Sequence, residues 1–307
     1  MQQVLPLFPE TASSVAGRVD QLYFFLLAVS AFFAILIFAL VAYFAVRYRR
    51  RAGQPAHQIH GSTRLEIAWT IVPFILVMIM FGWGAALYYK NANAPQDALE
   101  IYVVGKQWMW KLQHPEGPRE INELHVPAGV PVKLIMTSED VIHSFFVPAF
   151  RIKQDALPGR YTTEWFRATR VGTYHLFCAE YCGTEHSGMI GSVYVMEPAD
   201  YNAWLSNRAT GESMALAGKQ IFESLSCNGC HRERETSRGP ALAGVFGREV
   251  VFEGGQSVTA DEGYLRESIV NPRARIVMGY QPVMPTYQGQ VSEDQLLQLI
   301  AYIKSLR

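Results

Sequence analysis

The sequence predicts a multi-domain membrane protein: a two-helix transmembrane hairpin, then an all-β sandwich, then a small all-α domain. Three observations carry this. Two long stretches near the N-terminus contain no charged side chain. From about residue 100 to 197 the chain breaks into short, turn-bounded runs rich in Val, Ile, Tyr, Phe and Thr. Beyond residue 213 the pattern turns helical around a compact Cys-x-x-Cys-His segment. Charged residues make up only 18% of the 307, below the roughly 25% of an ordinary soluble domain. The 27 basic and 27 acidic side chains balance, which leaves no basic excess for binding nucleic acid.

The hairpin comes first. Residues 21–46 and 67–89 are uncharged, and at about 1.5 Å rise per residue either stretch can cross a hydrocarbon core of about 30 Å. The first is too long for the apolar core of a signal peptide, and no A-x-A cleavage site follows it, so it reads as a retained span. Pro73, Gly82 and Gly84 are tolerable in the second, where neighbouring helices satisfy a loosened backbone. The connecting loop carries Arg47, Arg49, Arg50, Arg51 and Arg64, against only Arg18 and Lys90 beyond the spans. That bias sets the loop in the cytoplasm and everything after Lys90 outside. The expected divisions are an outside segment 1–20, the hairpin 21–90, a first outside domain 91–206, and a linker plus second domain 207–307.

In the first outside domain the candidate strands are 100–104, 108–113, 132–137, 161–166, 173–177 and 192–196. Turn signals separate them at Pro127–Ala128–Gly129, Pro158–Gly159 and Val171–Gly172. Several short strands at this spacing argue for a sandwich. Into it falls Cys178-Ala-Glu180-Tyr-Cys182-Gly-Thr-Glu-His186-Ser-Gly-Met189. Two thiolates, an imidazole and a thioether are soft ligands, suited to copper or an iron–sulfur centre. His143, in Asp140-Val-Ile-His143-Ser, is the candidate ligand from elsewhere in the fold. A structural zinc site of two Cys and two His is the alternative, against which the methionine weighs. His125 and His175 read as structural histidines in strands, and His57, His60 and His114 have no assigned role.

The run Cys-x-Glu-x-Cys-Gly-x-x-His-x-x-Met resembles the dinuclear CuA motif of cytochrome c oxidase subunit II. Asp140-Val-Ile-His143-Ser-Phe-Phe-Val-Pro148 and Lys153-Gln-Asp155-Ala-Leu-Pro158-Gly159-Arg160 are similar to the same family. The resemblance implies a cupredoxin-like fold and copper ligation by His143, Cys178, Glu180 through its backbone carbonyl, Cys182, His186 and Met189. It also implies that the Glu180 carboxylate shares a magnesium ion with subunit I. Gln107-Trp108-Met109-Trp110 is similar to the family's tryptophan-rich segment, which makes Trp108 an electron entrance above the copper; the aromatic between the two tryptophans is replaced by Met109. Without the resemblance, Trp108 and Trp110 both read as sandwich core.

A short helix, 197–204, is expected to close this domain, and polar residues 206–213 to form a linker. Cys227-Asn-Gly-Cys230-His231 then has the C-x-x-C-H spacing of covalent haem attachment, with two thioether bonds and a histidine on the iron. A redox-active C-x-x-C of the thioredoxin kind lacks that histidine. An axial methionine should follow, and Met278 and Met284 are both available. The loop around Met284, the Gly239–Pro240 pair and a C-terminal helix at 292–306 resemble class I cytochromes c, which selects Met284. This part of the chain holds ten basic and ten acidic residues, so no charged docking face can be read from it. All four cysteines are thereby assigned and none is left for a disulfide.

At the loop end of the second span stands Ser62-Thr-Arg64-Leu-Glu66-Ile-Ala-Trp69-Thr70. A carboxylate where a span enters lipid must be solvated, paired or used, and it also suits a helix first turn. The run is similar to the subunit II segment whose glutamate sits at the mouth of a proton channel. Taken whole, the chain resembles subunit II of a caa-type haem–copper oxidase with a fused cytochrome c domain. The resemblance implies that it receives electrons from reduced cytochrome c or another small donor at the haem. It passes them through CuA to subunit I, where oxygen is reduced to water as protons are pumped. The expected partners are subunit I and the other oxidase subunits, and the expected location is the bacterial inner membrane with both cofactor domains on the periplasmic side. A CuA-containing nitric oxide reductase subunit and a free-standing tethered carrier are the alternative readings. A quinol oxidase subunit does not fit a complete set of CuA ligands.

Overall fold

The computed structural model describes residues 8–50, 53, 60–208, 213–231 and 238–306. Arg51 and His57, and the middle of the expected linker, lie outside these. The chain divides into two compact units, Val15–Asn93 and Met1–Ser14 with Ala94–Arg307.

The smaller unit is a pair of helices, α1 (Ala16–Arg47) and α2 (Thr63–Ala92). Each is longer than its uncharged core, because the flanking polar residues continue the helix. Large apolar side chains such as Phe38, Val41, Val72 and Phe81 are exposed along both, as expected of helices whose solvent is hydrocarbon. The two helices meet at Phe25 and Trp83, ring centroids 5.4 Å apart. Pro73 lies inside α2.

The larger unit begins with the sandwich. Its strands are β1 (Leu99–Lys106), β2 (Met109–Gln113), β3 (Arg119–Ile121), β4 (Glu123–Pro127), β5 (Pro131–Ser138), β6 (His143–Val147), β7 (Ile152–Ala156), β8 (Thr162–Arg167), β9 (Gly172–Cys178) and β10 (Ile190–Met196). One sheet runs β3-β2-β1-β5-β8 and the other β4-β10-β9-β6-β7. Pairing is antiparallel except β1 with β5 and β4 with β10. Inward residues of both sheets, among them Ile101, Trp110, Leu134, Phe145 and Leu176, are fully buried, as is Phe150 in the turn between β6 and β7. In β9 the period-2 alternation buries Tyr174, Leu176 and Cys178 and exposes His175 and Phe177, so Cys178 is the last inward position of the strand. In β1, residues on both faces are buried, which requires a cover on the outer side.

The cover is the helical part. Helix α3 (Pro198–Arg208) closes the sandwich, and α4 (Met214–Ser224), α5 (Glu262–Val270) and α6 (Glu293–Ser305) follow. The residues 206–208 expected in a linker are the last turn of α3, and Ser213 is already the N-cap of α4. Helix α6 opens on a capping box between Ser292 and Gln295, which satisfies two free backbone donors reciprocally. Phe222, Leu265, Ile269, Leu296, Leu299, Ile300 and Ile303 form the core. A small hairpin, β11 (Glu249–Val251) with β12 (Ser257–Thr259), adds a feature that the all-α expectation omits.

Candidate functional site

Two short loops and one strand end converge at the edge of the sandwich. His143 opens β6, whose Phe145 pairs with Cys178 at the end of β9. His143 Nδ1 lies 4.0 Å from Cys178 Sγ, and the Cys178 and Cys182 sulfurs are 3.7 Å apart. Cys182 Sγ is 3.4 Å from His186 Nδ1 and 3.7 Å from Met189 Sδ, while Cys178 Sγ is 3.2 Å from the Glu180 carbonyl oxygen. All six positions named from the sequence are thus brought to one place. The thiols are free, and their separation is far beyond the ~2 Å of a disulfide.

The surroundings favour a soft cation. His143 and Met189 are fully buried and Cys182 nearly so. Burial alone would raise the Cys178 thiol, but the His143 imidazole, backbone hydrogen bonds at Ser144 and Glu180, and the Cys182 thiol bring it down to about 6. Burial and the neighbouring Cys178 push Cys182 up to about 12. One thiol is thus poised to ionise first and, once ionised, holds back its neighbour. Burial would depress His143, yet Cys178 and Asp140 raise it. Two thiols, two imidazole Nδ1 atoms, a thioether and a carbonyl fit copper, and the thioether does not suit a structural zinc site.

Residues around the candidate ligands hold them. His143 Nε2 lies 2.8 Å from Asp140 Oδ1, leaving Nδ1 toward the sulfurs, and the Gln107 backbone N–H donates to Asp140 Oδ2 at 2.8 Å. A Cβ on Gly105 would stand 2.8 Å from His143 Cδ2, so only glycine admits the ring there. The side chains of Gln107 and Trp108 both donate to the Cys182 carbonyl, at 2.8 and 3.3 Å. Trp110 is buried against His143 and Phe145, as the reading without the resemblance expects. Trp108 is only half-buried and departs from that reading. The Glu180 carboxylate is exposed, and Glu66 stands exposed in the first turn of α2.

In the helical part a cavity is lined by Cys227, Cys230, His231, Met284, Leu299 and Ile303, among others. His231 Nδ1 is 2.8 Å from the Pro240 carbonyl, so Nδ1 carries the proton and Nε2 is left as the lone-pair nitrogen. A Cβ on Gly239 would press within 2.8 Å of His231 Cε1. Met284 lines this cavity; Met278 does not and is 55% exposed. Two free thiols, an oriented imidazole and a thioether on one largely apolar cavity fit a haem.

The sequence reading missed a third cluster. Glu120 is buried between two histidines: Oε1 is 2.9 Å from His114 Nε2, and Oε2 makes a short contact with His125 Nδ1. His114 Nδ1 lies 3.1 Å from the Tyr201 hydroxyl, and His125 stacks on Trp204 and Tyr194. His125 is a satisfied structural histidine, and His114 acquires a role as the clamp on α3. His175 is not a buried structural residue; it is exposed and stacks on Phe177.

Three parts of the chain match known domains. Residues 1–82 match the transmembrane domain of cytochrome c oxidase subunit II, 119–195 its periplasmic domain, and 215–307 cytochrome c. The cytochrome c oxidase subunit 2 of Alkalihalophilus pseudofirmus is 32% identical over 299 residues, covering 91% of this chain and 84% of that one. The chain belongs to the cytochrome c oxidase subunit 2 family. The alternative cytochrome c oxidase subunit 2 of Bradyrhizobium diazoefficiens is 31% identical, over 58% of this chain and 75% of that one. Among solved structures, the periplasmic domain of subunit II of cytochrome oxidase from Bradyrhizobium japonicum aligns at 32% identity with a TM-score of 0.36, over 38% of this chain and 96% of that one. Membership makes this an electron-transfer subunit of an oxidase, with a subunit 2 domain that implies copper and a fused cytochrome c domain that implies haem. Two apolar helices anchor its periplasmic domain.

Proposed function

We propose that electrons arrive on this chain at a covalently held haem c and leave it from a dinuclear copper centre toward subunit I of a proton-pumping terminal oxidase. The observation that carries this reading is the convergence of the Cys178 and Cys182 sulfurs with His186 Nδ1, Met189 Sδ, His143 Nδ1 and the Glu180 carbonyl. When bound, both groups supply one-electron chemistry, and the protein sets their geometry and potential. Cys227 and Cys230 would hold the haem through thioether bonds, with His231 and Met284 as axial ligands. The Pro240 carbonyl fixes the His231 tautomer. On the copper side, Asp140, Gln107 and Gly105 keep the ligand set closed and stiff, with no open position for a substrate.

Trp108, hydrogen-bonded to the Cys182 carbonyl, serves as an electron entrance at the copper centre. The exposed Glu180 carboxylate is available to a magnesium ion shared with subunit I, and Glu66 to the mouth of a proton path in that partner. Segments 1–20, 21–90, 91–206 and 207–307 correspond to the outside segment, the hairpin, the copper domain and the linked haem domain. The other oxidase subunits complete the complex in the bacterial inner membrane, with the donor a reduced cytochrome c or another small carrier.

Purification in mild detergent tests this reading. Co-isolation with a large haem-bearing integral subunit that consumes oxygen supports it, and Cys182→Ser should abolish that turnover. Isolation of the chain alone, or consumption of nitric oxide in place of oxygen, would overturn it.

A further inference from the structure

The helical part is seated on the outer face of the sheet containing β1 and β5, and the contact is unusually well fastened. Tyr102, Val104 and Ile135 of the sandwich form one buried cluster with Met214 and Leu297 of α4 and α6. Charge crosses the same boundary. Lys304 Nζ lies 2.6 Å from Glu100 Oε2 of β1 and 2.7 Å from Glu262 Oε1 of α5. Lys133 Nζ of β5 lies 3.1 Å from the other oxygen of Glu100. The Lys304 side chain is only 16% exposed, with its ammonium 4.6 Å from the Phe246 ring centroid. An exposed pair of this kind would contribute little, but removing one partner of a desolvated, shared cation leaves charges uncompensated.

A second fastening lies at α5. Leu265 and Ile269 of this helix line the candidate haem cavity. Arg266, between them in sequence, donates from Nη1 to the Gly159 carbonyl of the sandwich at 2.7 Å, and also pairs with Glu293. The Tyr161 ring, beneath the guanidinium, packs against both the sandwich-side cluster and the core of the helical domain. The turn that holds Gly159 continues toward the copper ligands. The Leu157 carbonyl accepts from Ser138 N and Thr137 Oγ1, both at 3.3 Å. Ser138 Oγ lies 3.3 Å from Asp140 Oδ1, the oxygen that holds His143 Nε2 at 2.8 Å. A continuous run of covalent and hydrogen bonds therefore joins the wall of the haem cavity to a candidate copper ligand.

We propose that Arg266 and Lys304 are positioning residues that latch the haem domain onto the copper domain in one electron-transfer pose, with the Arg266–Gly159 hydrogen bond as the junction of the path toward His143. The proposal rests on the functional reading above and adds that the haem domain does not swing on its linker. Electron tunnelling weakens steeply with the gap between centres, so a fixed, bonded contact outperforms a diffusing one. The latch needs no contact with either cofactor to control the rate.

The test is intramolecular electron transfer in the full-length chain carrying both cofactors. The haem is photoreduced by a laser-excited ruthenium dye, and its reoxidation is followed as the copper is reduced. Arg266→Leu and Lys304→Glu should each slow the transfer by about tenfold or more, the scale that small displacements of reacting centres bring. The spectra and reduction potentials of both centres should stay unchanged, and Lys304→Arg should restore the rate. Should Arg266→Leu fail to fold, Arg266→Lys keeps the charge but shortens the reach to Gly159, and is expected to be slower than the unaltered chain. Unaltered rates in folded Lys304→Glu and Arg266→Lys proteins would overturn the latch while leaving the electron route standing. Absence of any haem-to-copper transfer in the unaltered chain would overturn the route, and the latch with it.

Discussion

His143 Nε2 stands 2.8 Å from Asp140 Oδ1, and that single contact decides which nitrogen of the ring faces the sulfurs. With Nε2 held by a carboxylate, Nδ1 is left as the donor toward Cys178. Asp140 is itself fastened by the Gln107 and Val141 backbone N–H groups. The candidate ligand set is thus built outward from the strand ends, with Asp140 supporting His143 and standing off the sulfurs.

Removing this support should loosen the centre without dismantling it. Asp140→Ala is expected to weaken copper binding by about 10–100-fold, the usual scale for loss of a ligand's hydrogen-bond partner. Competition with a copper chelator measures this, and unchanged affinity would show that packing alone orients His143.

The two candidate axial methionines separate cleanly. Met284→Ala should lower the haem potential by on the order of 0.1 V, since thioether ligation favours the reduced form. Met278→Ala should leave it unchanged, because Met278 is exposed and away from the cavity wall. Potentiometric titration of the two variants distinguishes them, and the reverse pattern would reassign the ligand.

Glu164 in β8 gives a stability that falls as pH rises from about 4.5 to about 8. Burial raises its carboxyl to about 8, and the opposing influence of Lys153 is too small to reverse this; Oε2 has no hydrogen-bond partner. A raised acid is protonated in the fold where it is ionised in the unfolded chain. Its stability is therefore fully kept below the ordinary value of 4.5 and is eroded as pH rises through about 8. Glu164→Gln should flatten that decline and stabilise the protein above this range by about 1–3 kcal/mol. Thermal melts across the range from about pH 4.5 to about 8 supply the measurement, and a steeper decline in the variant would contradict the assignment.

Glu120 behaves in the opposite sense. Burial would raise it, but the side chains of His114 and His125 and the His125 backbone N–H hold it below the ordinary glutamate value. A depressed acid contributes stability that is present above the unfolded value of 4.5 and is lost as pH falls through its folded value. Glu120→Gln should remove this acid-dependent part and cost about 1–3 kcal/mol at neutral pH, the scale for leaving buried hydrogen-bonding groups without their partner. Because Tyr201 and Trp204 of α3 rest on the same cluster, the earliest hydrogen exchange in the variant is expected in α3.

Much of the candidate site was legible because its donors are close in sequence. Cys178, Cys182, His186 and Met189 sit within one loop, and the alternation of β9 carries Cys178 inward. The long uncharged spans were equally plain, since buried core helices are rarely free of charge over such a length. Strands β6 and β7 escaped the reading for different reasons: β6 opens on two polar residues, His143 and Ser144, that are buried without alternation, and β7 is a polar edge strand. Glu120 belongs to no motif, since its two histidines reach it from the turn after β2 and from β4. The pairing of Glu100 with Lys304 spans 204 positions, and no local pattern announces it. Gly105 showed no turn signature, since its role is to make room for His143 and not to bend the chain.

The central claim is that the four cysteines serve two different redox centres, one pair each. Metal and haem analysis of the purified full-length chain tests this most directly. Two copper atoms and one covalently bound haem per chain are expected, with the copper lost in Cys178→Ser and Cys182→Ser and the haem lost in Cys227→Ser and Cys230→Ser. Zinc in place of copper, or a haem that organic solvent extracts from the unaltered chain, would contradict it.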